Sequence, residues 1–199
     1  LSNLEEFESG ILMTLTADPK KYKTEKEVHE ALIGMINRLN TLFRKKYKRK
    51  TPFIKGWNGH YISTSEFQDE SGMIHYHAIY FEATWIDVPR VREIYEKYMG
   101  KGTIFHVEPF QPKWIKDKHG KWYKYTAIHY IMKYLFKASN NFDHKAMLAA
   151  LGARAFNCSR KLFSYILDLA KNNSNKKLRY LGAYRHLMCA NWETYDDYQ

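Results

Sequence analysis

Apolar and polar residues change their period several times along the chain, and each change marks an element. Ile11-Leu-Met-Thr-Leu-Thr-Ala17 is dense in apolar and β-branched types and gives way to the turn opener Asp18-Pro19, so a buried strand is expected there. From Thr24 to about Tyr47 the period lengthens: Val28, Leu32, Ile36, Leu39 and Phe43 recur at three- and four-residue steps, and Thr24 with Glu27 forms a capping box. This predicts a long amphipathic helix running into the basic stretch Arg44-Lys-Lys-Tyr-Lys-Arg-Lys50. Two strands are expected at about Gly59 to Gln68 and Met73 to Ala83, joined by the acidic, Gly-bearing loop Asp69-Glu-Ser-Gly72. Asp87-Val-Pro89 opens a second helix that stops at Gly100. A strand at Thr103 to Val107, a polar hairpin over Lys113 to Lys124 and a helix over Thr126 to Lys137 follow, with weaker helical patterns at Asp143 to Leu151 and Lys161 to Asn172. Helices interleaved with a long antiparallel hairpin give an α+β class: a central antiparallel sheet of about five strands with helices packed on it.

Composition narrows the function classes. The 199 residues are 45% hydrophobic and 16% aromatic, enough for one packed domain and too aromatic for a disordered tail. Lys and Arg total 32 against 21 acidic residues, a formal charge of +11, which points to a polyanionic partner, nucleic acid first. The longest apolar runs, such as Ile79 to Phe81, fall far short of the ~20 residues that span a bilayer, so no membrane partner is expected and the chain reads as soluble and non-secreted. Cys158 and Cys189 lack CxxC spacing and are expected as partly buried thiols in a reducing cytoplasm.

Two groups of residues carry candidate chemistry. On a strand, His75 and His77 project from one face while Tyr76 and Ala78 project from the other. Across the hairpin, Glu66 adds a carboxylate; two nitrogens and one oxygen with open positions describe a catalytic divalent-metal site. Gln68 shares Glu66's side of its strand and is a rival for the third position. A His-x-His pair is by itself more often two ordinary strand histidines. The second group is Tyr130-Ile-Met-Lys133-Tyr134-Leu-Phe-Lys137, where Tyr130, Lys133, Tyr134 and Lys137 share about a third of the helix circumference and are expected to face outward. A tyrosine hydroxyl can attack a phosphodiester and keep the cut strand as an ester. Its pKa of about 10 makes a neighbouring Lys and a cation on the phosphate useful. Exposed aromatics on an ordinary amphipathic helix are the bland alternative.

A Leu-Thr-Leu-Thr type first strand (Leu12-Met-Thr-Leu-Thr16), a His-hydrophobic-His strand and a Tyr-x-x-Lys-Tyr helix, in that order, resemble the three motifs of the HUH endonucleases. Within them the chain looks most like two-tyrosine rolling-circle replication initiators of plasmids and viruses, over about residues 11–137, with 138–199 as a helical C-terminal extension of the same domain. The resemblance implies an RRM-like sheet; His75, His77 and Glu66 as metal ligands for Mg²⁺ or Mn²⁺; Tyr130 and Tyr134 as nucleophiles; and Lys133 as the lysine between them. Tyr76, at the middle of the histidine motif, is less apolar than the family pattern.

The expected function is site-specific nicking and joining of single-stranded or cruciform origin DNA through a 5′-phosphotyrosine. That activity would start rolling-circle replication in the cytoplasm of a prokaryotic host, with a host helicase as a further partner. No Gly-x-x-x-x-Gly-Lys loop is present, so helicase activity is not expected in this chain. Lys137, Arg49, Lys50, Arg160 and Lys161 are candidate DNA contacts, with solvated surface charge as their alternative. A two-tyrosine transposase or relaxase would use the same chemistry, and a non-catalytic RRM-like binding module would use the same sheet.

Overall fold

A computed structural model describes residues 7–18, 20–45, 51–67, 73–101, 103–117, 119–131, 146, 148–152, 156–160 and 162–164. The strands are β1 (Gly10–Thr16), β2 (Ile54–Lys55), β3 (Tyr61–Phe67), β4 (Ile74–Phe81), β5 (Trp85–Ile86), β6 (Phe105–Phe110), β7 (Lys113–Lys116), β8 (Trp122–Tyr125) and β9 (Phe156–Cys158). The helices are α1 (Glu25–Arg44) and α2 (Val88–Met99), and residues 127–131 are also helical. The main sheet has five strands in the order β6-β1-β4-β3-β9, every neighbouring pair antiparallel. Leaving aside the short β2–β5 ribbon, the succession β1-α1-β3-β4-α2-β6 is the split β-α-β arrangement of ferredoxin-like and RRM-like sheets, which places β1 between β4 and β6. The α+β architecture read from the sequence is the observed one.

Local chemistry sets the helix ends. Thr24 caps α1 by accepting from the Glu27 amide at 3.2 Å, while Glu27 reaches back to the Lys23 amide at 2.7 Å, one residue earlier than a capping box requires. Lys45 is the C-cap, so α1 ends three residues short of Tyr47. Asp87 caps α2, Pro89 sits in its first turn, and Gly100 ends it with φ of 106°.

Side-chain alternation divides the sheet into two faces. One carries Ile11, Met13, Leu15, Tyr76, Ala78 and Tyr80, and the apolar stripes of α1 (Leu32, Met35, Ile36, Leu39, Phe43) and α2 (Val91, Tyr95, Met99) cover it to form the main core. On the opposite face Leu12, Ile62, Ile79 and Phe81 form a second cluster with Phe7, Ala127, Ile131, Phe156 and Leu162. With both faces covered, β4 is buried along its whole length. Strand β6 begins and ends later than expected, running to Phe110, and the polar excursion is the two-stranded β7–β8 ribbon. Of the weaker helical patterns, residues 146, 148–150, 160 and 162–164 are helical among those described. Cys158 is a free, partly buried thiol as expected, and burial pushes its pKa up to about 11; Cys189 lies outside the described residues.

Candidate metal and phosphotyrosine site

The second sheet face changes character along its strands. At one end it is apolar, through Phe81, Ile79, Leu12 and Ile62; at the other the same alternation brings up His77, His75, Thr14, Thr16, Thr64 and Glu66. The β3–β4 register sets Glu66 opposite His75 and Thr64 opposite His77, which brings Glu66 to the histidine pair as expected, and the β1–β4 register sets Thr14 opposite His77 and Thr16 opposite His75. The imidazoles are 8% and 6% exposed, deep enough that their interactions are weakly screened by water.

His77 is held at both nitrogens. Its Nε2 lies 3.0 Å from Glu66 Oε2 and its Nδ1 lies 3.1 Å from Thr14 Oγ1. An ionised carboxylate only accepts, so Nε2–H donates to Glu66 and the Thr14 hydroxyl donates to Nδ1. Thr14 can also accept, so the opposite tautomer keeps that bond while freeing the Nε2 lone pair, as in the outer-shell support of metal-bound histidines. His75 has its pKa lowered, first by burial and then by His77, with Glu66 opposing, which keeps it neutral and able to donate a lone pair.

Two nitrogens and a carboxylate suit Mg²⁺ or Mn²⁺, and cis ligands about 2.1 Å from an octahedral ion stand about 3 Å apart, the spacing His77 and Glu66 already have. Among the described residues no three His, Cys, Asp or Glu side chains are closed around an ion-sized space. The donor set fits a divalent ion, and a bound ion would have to draw His75 in.

Tyr130 reaches the same face from the helical turn at 127–131. Ala127 and Ile131 are fully buried against the second cluster, and Ile128 and Tyr130, each about 80° from that stripe, flank it half-buried. The outward projection expected for Tyr130 is therefore corrected: its ring meets Phe110 of β6 edge-on at 5.5 Å. Phe110 is opposite Gly10 and His106 opposite Thr14, so the apolar end that seats Tyr130 is four residues, about 13 Å, along the strands from the His77 row. Tyr134, Lys133, Lys137, Arg49, Lys50, Lys161 and Gln68 lie outside the described residues. Arg160 is exposed beyond β9, on the far side of the apolar end from the histidines.

Against this geometry, the sequence pattern of the replication-associated protein ORF2 family matches residues 10–139, from the first residue of β1 to beyond Tyr130. The chain belongs to that family. It is a replication-associated, initiator-like protein, and the family match takes in β1, the histidine hairpin and the tyrosine helix together. No curated protein and no solved structure matches the chain. Sequence reasoning missed Thr14 as a partner of His77, although Thr14 and Thr16 alternate with Met13 and Leu15 and so announced a polar edge on this face. Among the described residues no helix is long and apolar enough to cross a membrane.

Proposed function

We propose that this member of the replication-associated family is a metal-dependent, site-specific single-stranded-DNA endonuclease and strand transferase of the HUH type that initiates rolling-circle replication. The observation that carries the reading is that β1, the β3–β4 hairpin and the helical turn at 127–131 bring Thr14, Glu66, His75, His77 and Tyr130 to one sheet face. The surplus of cations gathers the DNA backbone at the surface. Glu66, His75 and His77 would hold Mg²⁺ or Mn²⁺, which when bound polarises the scissile phosphate and offsets charge on the departing oxygen. The tyrosine oxygen forms the new bond to phosphorus as the bond to the 3′-oxygen breaks; the phenol loses its proton and the departing oxygen gains one, leaving a 5′-phosphotyrosine and a free 3′-hydroxyl. Tyr134, four residues after Tyr130 in the sequence, would perform the second cleavage while the first tyrosine stays esterified, and Lys133 between them in sequence would favour the phenolate.

A role for the imidazoles as base-stacking platforms in a non-catalytic module is disfavoured by their burial, which leaves no ring face for a base. A transposase or relaxase would share the chemistry, and family membership favours replication. The test is incubation of the chain with labelled single-stranded origin oligonucleotide and Mn²⁺. An SDS-resistant adduct that disappears in the Tyr130→Phe/Tyr134→Phe double variant supports the proposal, and an adduct that survives the double variant rejects the nucleophiles. Cuts mapped to a transposon end or transfer origin, in place of a replication origin, reject the replication role.

A further inference from the structure

The two most exposed large apolar side chains among the described residues, Trp114 at 65% and Trp122 at 58%, stand on an element that the proposed chemistry does not use. In the β7–β8 ribbon Trp114 pairs with Lys124 and Lys116 with Trp122. Strand alternation puts all four on one face as a checkerboard in which each indole has an ammonium across the strand and another two residues along it. The Lys116 ammonium lies 4.9 Å from the Trp122 ring centroid, and Lys124 is additionally paired with Glu8. The other face is occupied: Tyr125 stacks on His129 at 5.9 Å and lies 6.0 Å from Phe110, and Tyr123 lies 6.0 Å from His129. Aromatic contacts thus seat the ribbon against β6 and the tyrosine helix and leave the indoles exposed, while Lys124 on their face reaches back to Glu8.

The ribbon's turn is hydrogen-bonded. Asp117 Oδ1 accepts from the His119 and Lys121 amides at 2.9 Å each, the Asp117 amide donates to the Lys121 carbonyl at 2.9 Å, and Gly120 takes φ of 78° to close the turn. Each indole has two side-chain torsions to fix, so flat rings among cations lose little entropy on binding a partner. Residues 113–125 include five lysines and one aspartate, so the partner that fits is anionic and offers flat faces.

We infer that this face is a stacking platform for single-stranded DNA, with unpaired bases on Trp114 and Trp122 and phosphates beside Lys116 and Lys124. The indoles sit on a diagonal of about 7–8 Å, so they engage separate bases, and every base has a face to offer, which makes the platform sequence-tolerant. Only Thr126 separates β8 from the helical turn that carries Tyr130, so a strand on the platform lies next to the nucleophile helix. That last step rests on the endonuclease reading; the binding itself does not.

The test compares the full chain with Trp114→Ala/Trp122→Ala, each checked for folding by circular dichroism, by anisotropy of labelled oligo-dT and of a labelled duplex. The double variant is expected to lose about tenfold or more in single-strand affinity per indole while its duplex affinity stays close to the parent's. Trp114→Phe/Trp122→Phe, which keeps a ring at each position, is expected to recover most of the loss and serves if the Ala variant does not fold. Equal oligo-dT affinity in parent, Phe and Ala proteins overturns the inference. So does loss of a dimer in the Ala variant with DNA binding unchanged, which would assign the indoles to a second copy of the chain. Indole-dependent binding by a chain that forms no adduct keeps this inference and sinks the endonuclease reading; adduct formation with indole-independent binding does the reverse.

Discussion

Replacing Thr14 by Val removes one oxygen and keeps a β-branched shape, so β1 retains its pairing with β4 and β6. What changes is His77. With the Thr14 hydroxyl gone, the Nε2–H tautomer stays bound to Glu66 at 3.0 Å, while the tautomer that frees Nε2 must turn Nδ1–H toward a methyl group. In a site where the imidazole is 6% exposed, taking that oxygen from a buried donor costs about 1–3 kcal/mol in the ion-bound state, offset in part because the ion-free state loses the hydroxyl's donation to Nδ1. Outer-shell changes of this kind typically lower metal affinity about 10–100-fold, the same range. The expected result is a half-saturating Mn²⁺ concentration for oligonucleotide cleavage raised about tenfold or more, with Thr14→Ser close to the parent and the DNA affinity of all three alike without metal. A Thr14→Val protein that cleaves at the parent's Mn²⁺ concentration would refute the argument that Thr14 sets the tautomer.

His75→Ala is expected to abolish adduct formation while leaving oligonucleotide affinity near the parent's, since affinity rests on Lys and Arg; equal loss of both in an anisotropy and gel comparison would count against a metal role. Chelation by EDTA should act as His75→Ala does, with activity restored by Mn²⁺. His29, on the buried face of α1 with Nδ1 2.7 Å from the Tyr76 hydroxyl, has its pKa lowered, first by burial and against the opposing charge of Glu30. The unfolded chain therefore takes up a proton first as pH falls below about 6.5, so stability falls with pH from there down to the lower folded value. Urea midpoints at a series of pH values should show this, with a shallower slope in His29→Gln; the same slope in both proteins would contradict it. Gly10 lies where an added Cβ would meet the Tyr80 carbonyl oxygen at 2.3 Å, backbone that cannot yield without parting β1 from β4. Gly10→Ala is expected to cost about 2 kcal/mol or more in chemical denaturation, and a loss below about 0.5 kcal/mol would show that the strands adjust freely.

Much of this arrangement is legible locally. The α1 stripe and the caps at Thr24, Asp87 and Gly100 follow from near neighbours in sequence, and the hairpin pattern brings Glu66 near the histidine pair, although strand alternation alone leaves Gln68 as a rival for its place. What escapes is set by partners far along the chain. Thr14 and His77 are 63 residues apart and meet only because β1 inserts between β4 and β6. The three residues of β9 are too few to show a period, and they become a strand by adding to the edge of β3. Helical spacing placed Tyr130 outward, yet Phe110 from β6 draws its ring against the sheet, since the buried stripe centres on Ala127 and Ile131.

Backbone cleavage by a bound iron ion reads the site most directly. Fe²⁺ loaded in place of Mn²⁺, with ascorbate and peroxide, cuts polypeptide close to the ion. Cuts are expected in β1 at Thr14 and in the hairpin at Thr64 to Glu66 and His75 to His77, with weaker cutting at Tyr130, whose seat lies about 13 Å along the strands, all suppressed by excess Mn²⁺ and lost in His77→Ala. Cuts confined to other surfaces, or a hairpin pattern that survives in His77→Ala, would contradict an ion held by the histidines on the face that carries the tyrosine.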